Sequence, residues 1–156
     1  MKKIEGFRCV ECAAECGLAE TRYTCPRCDG NLQVVYDYPS LRKRLSRKSL
    51  KADPERSIWR YLELLPLKGR GGVPPVEVGW TPLYRARKLG ASLGLKKLYL
   101  KDDGRNPSAS FKDRASAVIA ARAFETKENT VAGASTGNAA ASLACMMAHR
   151  DAKPVI

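Results

Sequence analysis

Two cysteine pairs, Cys9-Val10-Glu11-Cys12 and Cys25-Pro26-Arg27-Cys28, stand 12 residues apart near the start of the chain. A C-x2-C pair makes a tight knuckle with two sulfurs on one side of a turn, and two facing knuckles complete a tetrahedral S4 cage suited to zinc. Disulfides are not expected in a cytosolic chain, and a redox C-x-x-C has no need of a second copy. Cys16 lies between the pairs and could compete, but the spacing favours Cys9, Cys12, Cys25 and Cys28 as the metal ligands. Cys145, the sixth cysteine, falls on an Ala-rich helix face and reads as a buried small residue.

A second set of reactive types lies further along. In Ser110-Phe111-Lys112-Asp113-Arg114, Ser110 is an expected N-cap and Asp113 can complete a capping box. Lys112 then falls in the first helical turn, where the helix dipole disfavours a cation, and Arg114 adds repulsion. Both favour the neutral amine, the form that attacks an aldehyde. A surface lysine on a capped helix is the plainer reading of that string alone. Gly133-Ala134-Ser135-Thr136-Gly137-Asn138 follows. There a helix opens with free backbone N–H groups, and the Ser135 and Thr136 hydroxyls complete an anion site. Ordinary N-capping would explain this piece in isolation. Two such sites in consecutive βα units, both outside the C-terminal ends of strands, point instead to ligand binding.

These side chains need elements to hold them. Residues 1–37 carry five of the six cysteines and β-like runs such as Leu32-Gln33-Val34-Val35-Tyr36, and read as a small zinc-ribbon-like module with short strands at Phe7-Arg8 and Tyr23-Thr24. Residues 38–75 read as a basic linker, a helix from Ile58 to Leu65 bounded by Ser57 and Pro66, and a loop through Gly69 to Pro75. From residue 76 the pattern alternates: a buried strand at Leu98-Tyr99-Leu100, a helix over 111–126, a strand at Thr130–Ala134, a helix over 137–149 and a strand starting at Pro154. That order predicts parallel strands with helical crossovers, an α/β sheet. The sheet would be incomplete, because parallel sheets need cover on both faces and more strands than these. The chain is therefore expected to be an N-terminal part of something larger.

Net charge is +12, which raises nucleic acid as a partner. The excess is spread evenly: residues 1–75 carry 15 Lys/Arg and 9 Asp/Glu, and 76–156 carry 13 and 7. One concentration stands out, Arg42, Lys43, Arg44, Arg47, Lys48 and Lys51, with no acid between residues 38 and 52. Such a run reads as a solvated face or linker, with a phosphate-binding patch as the alternative. A zinc-ribbon nucleic-acid module stays open as a second class, but few aromatics are placed for base stacking and it leaves residues 80–149 unexplained. No apolar run approaches the roughly 20 residues of a membrane span. No apolar stretch of a secretory signal follows the basic N-terminus, so cytoplasmic residence is expected.

Gly79-Trp80-Thr81-Pro82-Leu83, the run from Lys101 through Asn106-Pro107 to Ser110-Phe111-Lys112-Asp113-Arg114, and Ala134-Ser135-Thr136-Gly137-Asn138 resemble, in that order, fold-type II pyridoxal-phosphate (PLP) enzymes. The resemblance is strongest to the threonine synthase family, some of whose members carry a zinc-ribbon-like segment. It covers nearly the whole chain. The resemblance implies that Lys112 holds PLP and later acts as acid and base, and that Asn138 bonds the 3′-oxygen of the ring. It also implies that Ser135, Thr136 and Gly137 hold a substrate carboxylate. The implied reaction takes O-phospho-L-homoserine and water to L-threonine and phosphate, a carbon–oxygen lyase chemistry on a small phosphorylated amino acid. Threonine dehydratase and cysteate synthase types are alternatives. Nucleic acid and membrane are not expected partners, and the complete protein is open to homo-oligomerisation. The family's glycine-rich phosphate loop lies further along the chain than these motifs, and Gly69–Gly72 reads as an approach loop. The lone polypeptide is accordingly expected to lack stable cofactor binding and turnover.

Overall fold

The computed structural model describes residues 3–18 and 23–156; Met1 and Lys2 of the basic N-terminus lie outside them. The chain divides into two compact units, Met1–Pro54 with Arg60–Pro66, and Glu55–Trp59 with Leu67–Ile156.

The first unit is built on an antiparallel sheet of order β2-β1-β3, with β1 Ile4–Cys9, β2 Glu15–Cys16 and β3 Leu32–Tyr36. The β3 run was legible from its β-branched and aromatic residues. Phe7-Arg8 lies within β1, whereas the second expected strand reduces to one bridge, Thr24 to Asn31, with Tyr23 exposed. The basic run, read as a solvated face or linker, is helical. It folds into α1 Tyr38–Arg44, capped by the Asp37 carboxylate accepting from the Ser40 N–H at 2.9 Å, and α2 Arg47–Ala52, capped by a Ser46/Ser49 box. A side-chain oxygen at each start satisfies an N–H that the helix leaves unpaired, so like charge on the exposed faces is tolerated. The expected helix from Ile58 is a 3₁₀ segment, Ile58–Leu64, kinked at Tyr61. The Ser57 hydroxyl accepts from the Trp59 N–H at its start.

In the second unit, β4 Leu83–Arg85 leads into α3 Arg87–Ser92, which returns through a turn with Gly94 at φ +68° to β5 Tyr99–Lys101. β4 and β5 pair antiparallel, Leu83 with Lys101 and Arg85 with Tyr99, and every residue of both strands is exposed. This corrects the expectation that Leu98-Tyr99-Leu100 is a buried strand in one parallel sheet with the strands that follow. The short α3 turns the chain straight back, and the nearest pairing available to β5 is the strand it has just left.

The rest follows the expected order: α4 Asp113–Glu125, β6 Thr130–Ala132, α5 Asn138–Met147, β7 Lys153–Val155, with β6 and β7 parallel across the α5 crossover. The core lies where α4 packs on α5. Ala117, Ala120, Ala121 and Ser116 of α4 are buried, as are Ser142, Leu143, Met146 and Met147 of α5. Positions three and four apart share a helix face, and the small α4 residues let the partner backbone approach. Cys145 is half-buried. Burial pushes its thiol pKa up, and the Asp113 carboxylate adds to the effect.

Candidate active site and metal centre

The two knuckles are built alike. Cys9 N–H donates to the Ala14 carbonyl and Ala13 N–H to that of Cys9; Cys25 N–H donates to Gly30 and Asp29 N–H to Cys25. Ala13 and Asp29 take matching left-handed angles, φ 57° and 55°. Glu11 N–H points to the Cys9 sulfur and Arg27 N–H to the Cys25 sulfur, both at 3.4 Å. The knuckles face each other, with Cys9 Sγ 3.5 Å from Cys28 Sγ and Cys12 Sγ 3.7 Å from Cys25 Sγ. All four sulfurs lie within 4.8 Å of one another. The edge of a tetrahedron with metal–sulfur bonds of about 2.3 Å is roughly 3.8 Å, whereas a disulfide needs about 2.05 Å. The set can therefore hold a metal ion. Gly30 lets the knuckles meet, since a Cβ there would sit 3.0 Å from Cys9 Sγ. The backbone N–H of Cys12, then that of Glu11, lowers the Cys9 thiol to about 7. At Cys28 the Gly30 N–H favours the thiolate, but the neighbouring Cys12, Cys9 and Cys25 thiols together with burial outweigh it and push it up to about 12. Four sulfurs crowded together cannot all ionise without a cation among them. Cys16 stands outside this group, in β2 opposite Phe7.

Lys112 lies immediately before α4, with helical angles. The capping box does not form. Ser110 Oγ accepts from the Lys112 N–H at 3.1 Å, and the buried Asp113 carboxylate turns back to Ser108, accepting its N–H at 2.7 Å and its hydroxyl. The cause is Ala109, whose φ of 56° folds Ser108 over the helix start, so that Ser108 reaches Asp113 first. The half-buried Lys112 side chain lays its ammonium over the Phe111 ring, 4.8 Å from the centroid. The Arg114 guanidinium grips Asp103 through Nε and Nη2, both at 2.8 Å.

That grip belongs to a knot given no role in the sequence reading. Thr81 hydroxyl donates to Asp103 at 2.6 Å, Gly79 N–H to the Asn106 side chain at 2.9 Å, and the Asn106 amide to the Asp103 carbonyl at 2.9 Å. Lys101 donates its ammonium to the Thr81 carbonyl. The Arg114 guanidinium, helped by Thr81 and Lys101 against the opposing effect of burial, holds Asp103 down to about 2. Two opposite charges 11 residues apart and flanking the lysine were the signal in the sequence. Residues 101–114 are thus fixed at both ends around Lys112.

The second motif opens α5. Ser135 Oγ accepts from the Gly137 N–H at 3.2 Å, and α5 starts at Asn138 with no side-chain cap. Thr136, Gly137 and Asn138 are exposed. The first-turn N–H groups of this helix therefore present donors and partial positive charge outward. Lys112 and Asn138 stand at the N-terminal ends of two helices packed on each other. Among the described residues no hydrogen bond joins the Lys112 side chain to Ser135, Thr136 or Asn138.

A lysine thus stands at one helix start, and uncapped N–H donors stand at the start of the next helix. Residues 76–156 match the family of pyridoxal-phosphate dependent enzymes, and the chain belongs to that family. Its relatives narrow the comparison. It is 45% identical over 140 residues to the threonine synthase of Methanosarcina acetivorans, covering 88% of this chain and 33% of that protein. It is 41% identical over 149 residues to the threonine synthase of Methanocaldococcus jannaschii, covering 96% of this chain and 36% of that protein. The chain spans about a third of the length of the curated relatives it matches.

Proposed function

We propose that the chain works within a threonine synthase, the enzyme that takes O-phospho-L-homoserine and water to L-threonine and phosphate. The observation that carries this reading is the 45% and 41% identity to two threonine synthases across 88% and 96% of the chain. The reading assigns residues 1–37 to a zinc-ribbon-like module, 38–75 to a connecting segment and 76–156 to part of a fold-type II α/β domain. The parallel β6-α5-β7 unit supports that last assignment. Cytoplasmic residence goes with the reading; among the described residues no helix is long and apolar enough to cross a membrane.

When bound, PLP supplies an electron sink for carbanions beside the amino group, and the protein orients the reacting groups. The reading gives Lys112 the task of holding the cofactor and then of moving protons at Cα and Cβ of the substrate. The knot of Asp103, Arg114, Thr81 and Asn106 supports it by fixing the segment that carries this amine. Asn138 would donate its side-chain amide to the cofactor ring. The Ser135 and Thr136 hydroxyls and the backbone around Gly137 receive the substrate carboxylate, supported by the uncapped start of α5. For the four cysteines the reading is structural zinc, on the tetrahedral spacing of their sulfurs.

Two experiments test this. Assaying the complete protein with O-phospho-L-homoserine, threonine, serine and phosphoserine should give turnover on the first; turnover on another alone overturns the substrate. Borohydride reduction of the PLP-loaded protein, followed by peptide mapping, should place the label on Lys112. A label on another lysine overturns that residue's role and leaves the family assignment standing.

A further inference from the structure

A cavity of about 460 Å³ lies in the second unit, between α3 and the turn that leads into β5. Arg85, Arg87 and Lys96 line it together with Leu95 and Leu98. Its walls are held in place by backbone contacts. Ala86 N–H donates to the Leu98 carbonyl at 3.0 Å and Leu95 N–H to that of Gly90 at 2.8 Å. A Cβ on Gly90 would meet the Leu95 oxygen at 2.7 Å, so the return turn lies directly on α3. Arg85 Nη2 donates to the Lys96 carbonyl at 3.3 Å, which ties one cationic wall to the other.

The charge around this cavity is uncompensated. Residues 82–100 carry five Lys/Arg and no Asp or Glu. Among the described residues none of Arg85, Arg87 and Lys96 enters an ion pair. Three like charges gathered on one concavity repel, and an anion relieves that repulsion. Arginine forks match phosphate oxygens in two-point contact. The volume exceeds that of a phosphate group and falls within the roughly 300–1,000 Å³ of small-molecule sites. Leu95 and Leu98, which line the same cavity, offer apolar surface for the body of such a ligand. No aromatic side chain lines the cavity, so it lacks the stacking platform of a single-stranded nucleic-acid site.

We propose that the cavity between α3 and β5 binds a small phosphate monoester with an apolar body, its dianion between Arg85, Arg87 and Lys96. This site is independent of the Lys112 reading and would stand if that reading fell.

The test titrates the isotopically labelled 156-residue chain with phenyl phosphate and follows backbone amide shifts. Saturating shifts confined to residues 85–98 are expected, with binding of inorganic phosphate roughly tenfold weaker because Leu95 and Leu98 stay uncovered. Benzyl alcohol, with the ring and no charge, should leave these amides unmoved. Arg87→Gln and Lys96→Gln should each weaken phenyl phosphate by roughly tenfold or more with the amide pattern elsewhere retained. Should Lys96→Gln disturb the turn, Arg87→Gln decides alone, its side chain being exposed on α3. Shifts that do not saturate, an Arg87→Gln variant that binds as the parent does, or displacement of phenyl phosphate by oligothymidylate would overturn the proposal. The last outcome would mark a polyanion surface instead.

Discussion

Replacing Asp103 by asparagine keeps the size of the side chain and removes the charge that Arg114 grips. The carboxyl sits at about 2 in place of 3.8, a depression worth roughly 2.5 kcal/mol at most at about 1.4 kcal/mol for each factor of ten. Solvent screening reduces this, since the Arg114 and Asp103 side chains are 35% and 21% exposed, leaving about 1–1.5 kcal/mol. Because the folded-state value is depressed, the contribution is fully present above 3.8 and is lost as pH falls toward 2. Asparagine does not titrate. Urea unfolding of parent and Asp103→Asn, followed by circular dichroism, should therefore differ by about 1–1.5 kcal/mol at about pH 6 and by less than half of that at about pH 2.5. A gap that stays constant between those two conditions would refute the reasoning, as would no gap at about pH 6. The first result would mean that asparagine fails by shape; the second, that the ion pair is solvated and contributes nothing.

Ala109, at φ 56° beside the lysine segment, should accept glycine with a gain of about 0.5–1 kcal/mol in the same assay, whereas Ala109→Val should lose stability. Gly72→Ala would place a Cβ 2.3 Å from the Ala121 carbonyl oxygen, and urea unfolding should show a loss of about 1–3 kcal/mol. Metal analysis of the purified chain should give about one zinc per chain. Stripping that zinc, or Cys25→Ser, should speed amide exchange in β1 and β3 while leaving α4 and α5 as they were.

The cysteine cage was legible because a C-x2-C knuckle is a local structure whose ligands follow from spacing alone. α4 and α5 were legible from their Ala-rich periodicity, and β6 with β7 from the crossover between them. The α1 and α2 helices were missed although Asp37-Tyr38-Pro39-Ser40 and Ser46 to Ser49 carry cap signals; the dense positive charge between them was read as a solvated face or linker. The pairing of β4 with β5 could not be read, since both strands expose every residue and leave no alternation of apolar and polar positions. α3 had a signal that went unused, Leu89 and Leu93 one turn apart with Gly94 after them. At the lysine, Ser-x-x-Asp is a correct cap pattern, yet the left-handed turn at Ala109 redirected Asp113 to Ser108. A short-range pattern of this kind says which bonds are possible, and the backbone angle one residue earlier decides which one forms.

The loop around Gly72 has a mechanical consequence for the two helices. Glu125, at the end of α4, accepts the N–H groups of Lys68 and Gly69 at 2.8 and 3.0 Å, and Arg150, just past α5, donates to the Gly71 carbonyl at 2.9 Å. Both C-terminal ends are thus fastened to one short loop, residues 68–71. Any rocking of α4 on α5 must pivot there, and displacement grows with distance from the pivot. With 13 residues in α4, a tilt of about 5° moves its far end by roughly 1.7 Å over a helix of roughly 20 Å. That far end carries Lys112, so small tilts would be felt most at the amine and least at the loop that anchors it.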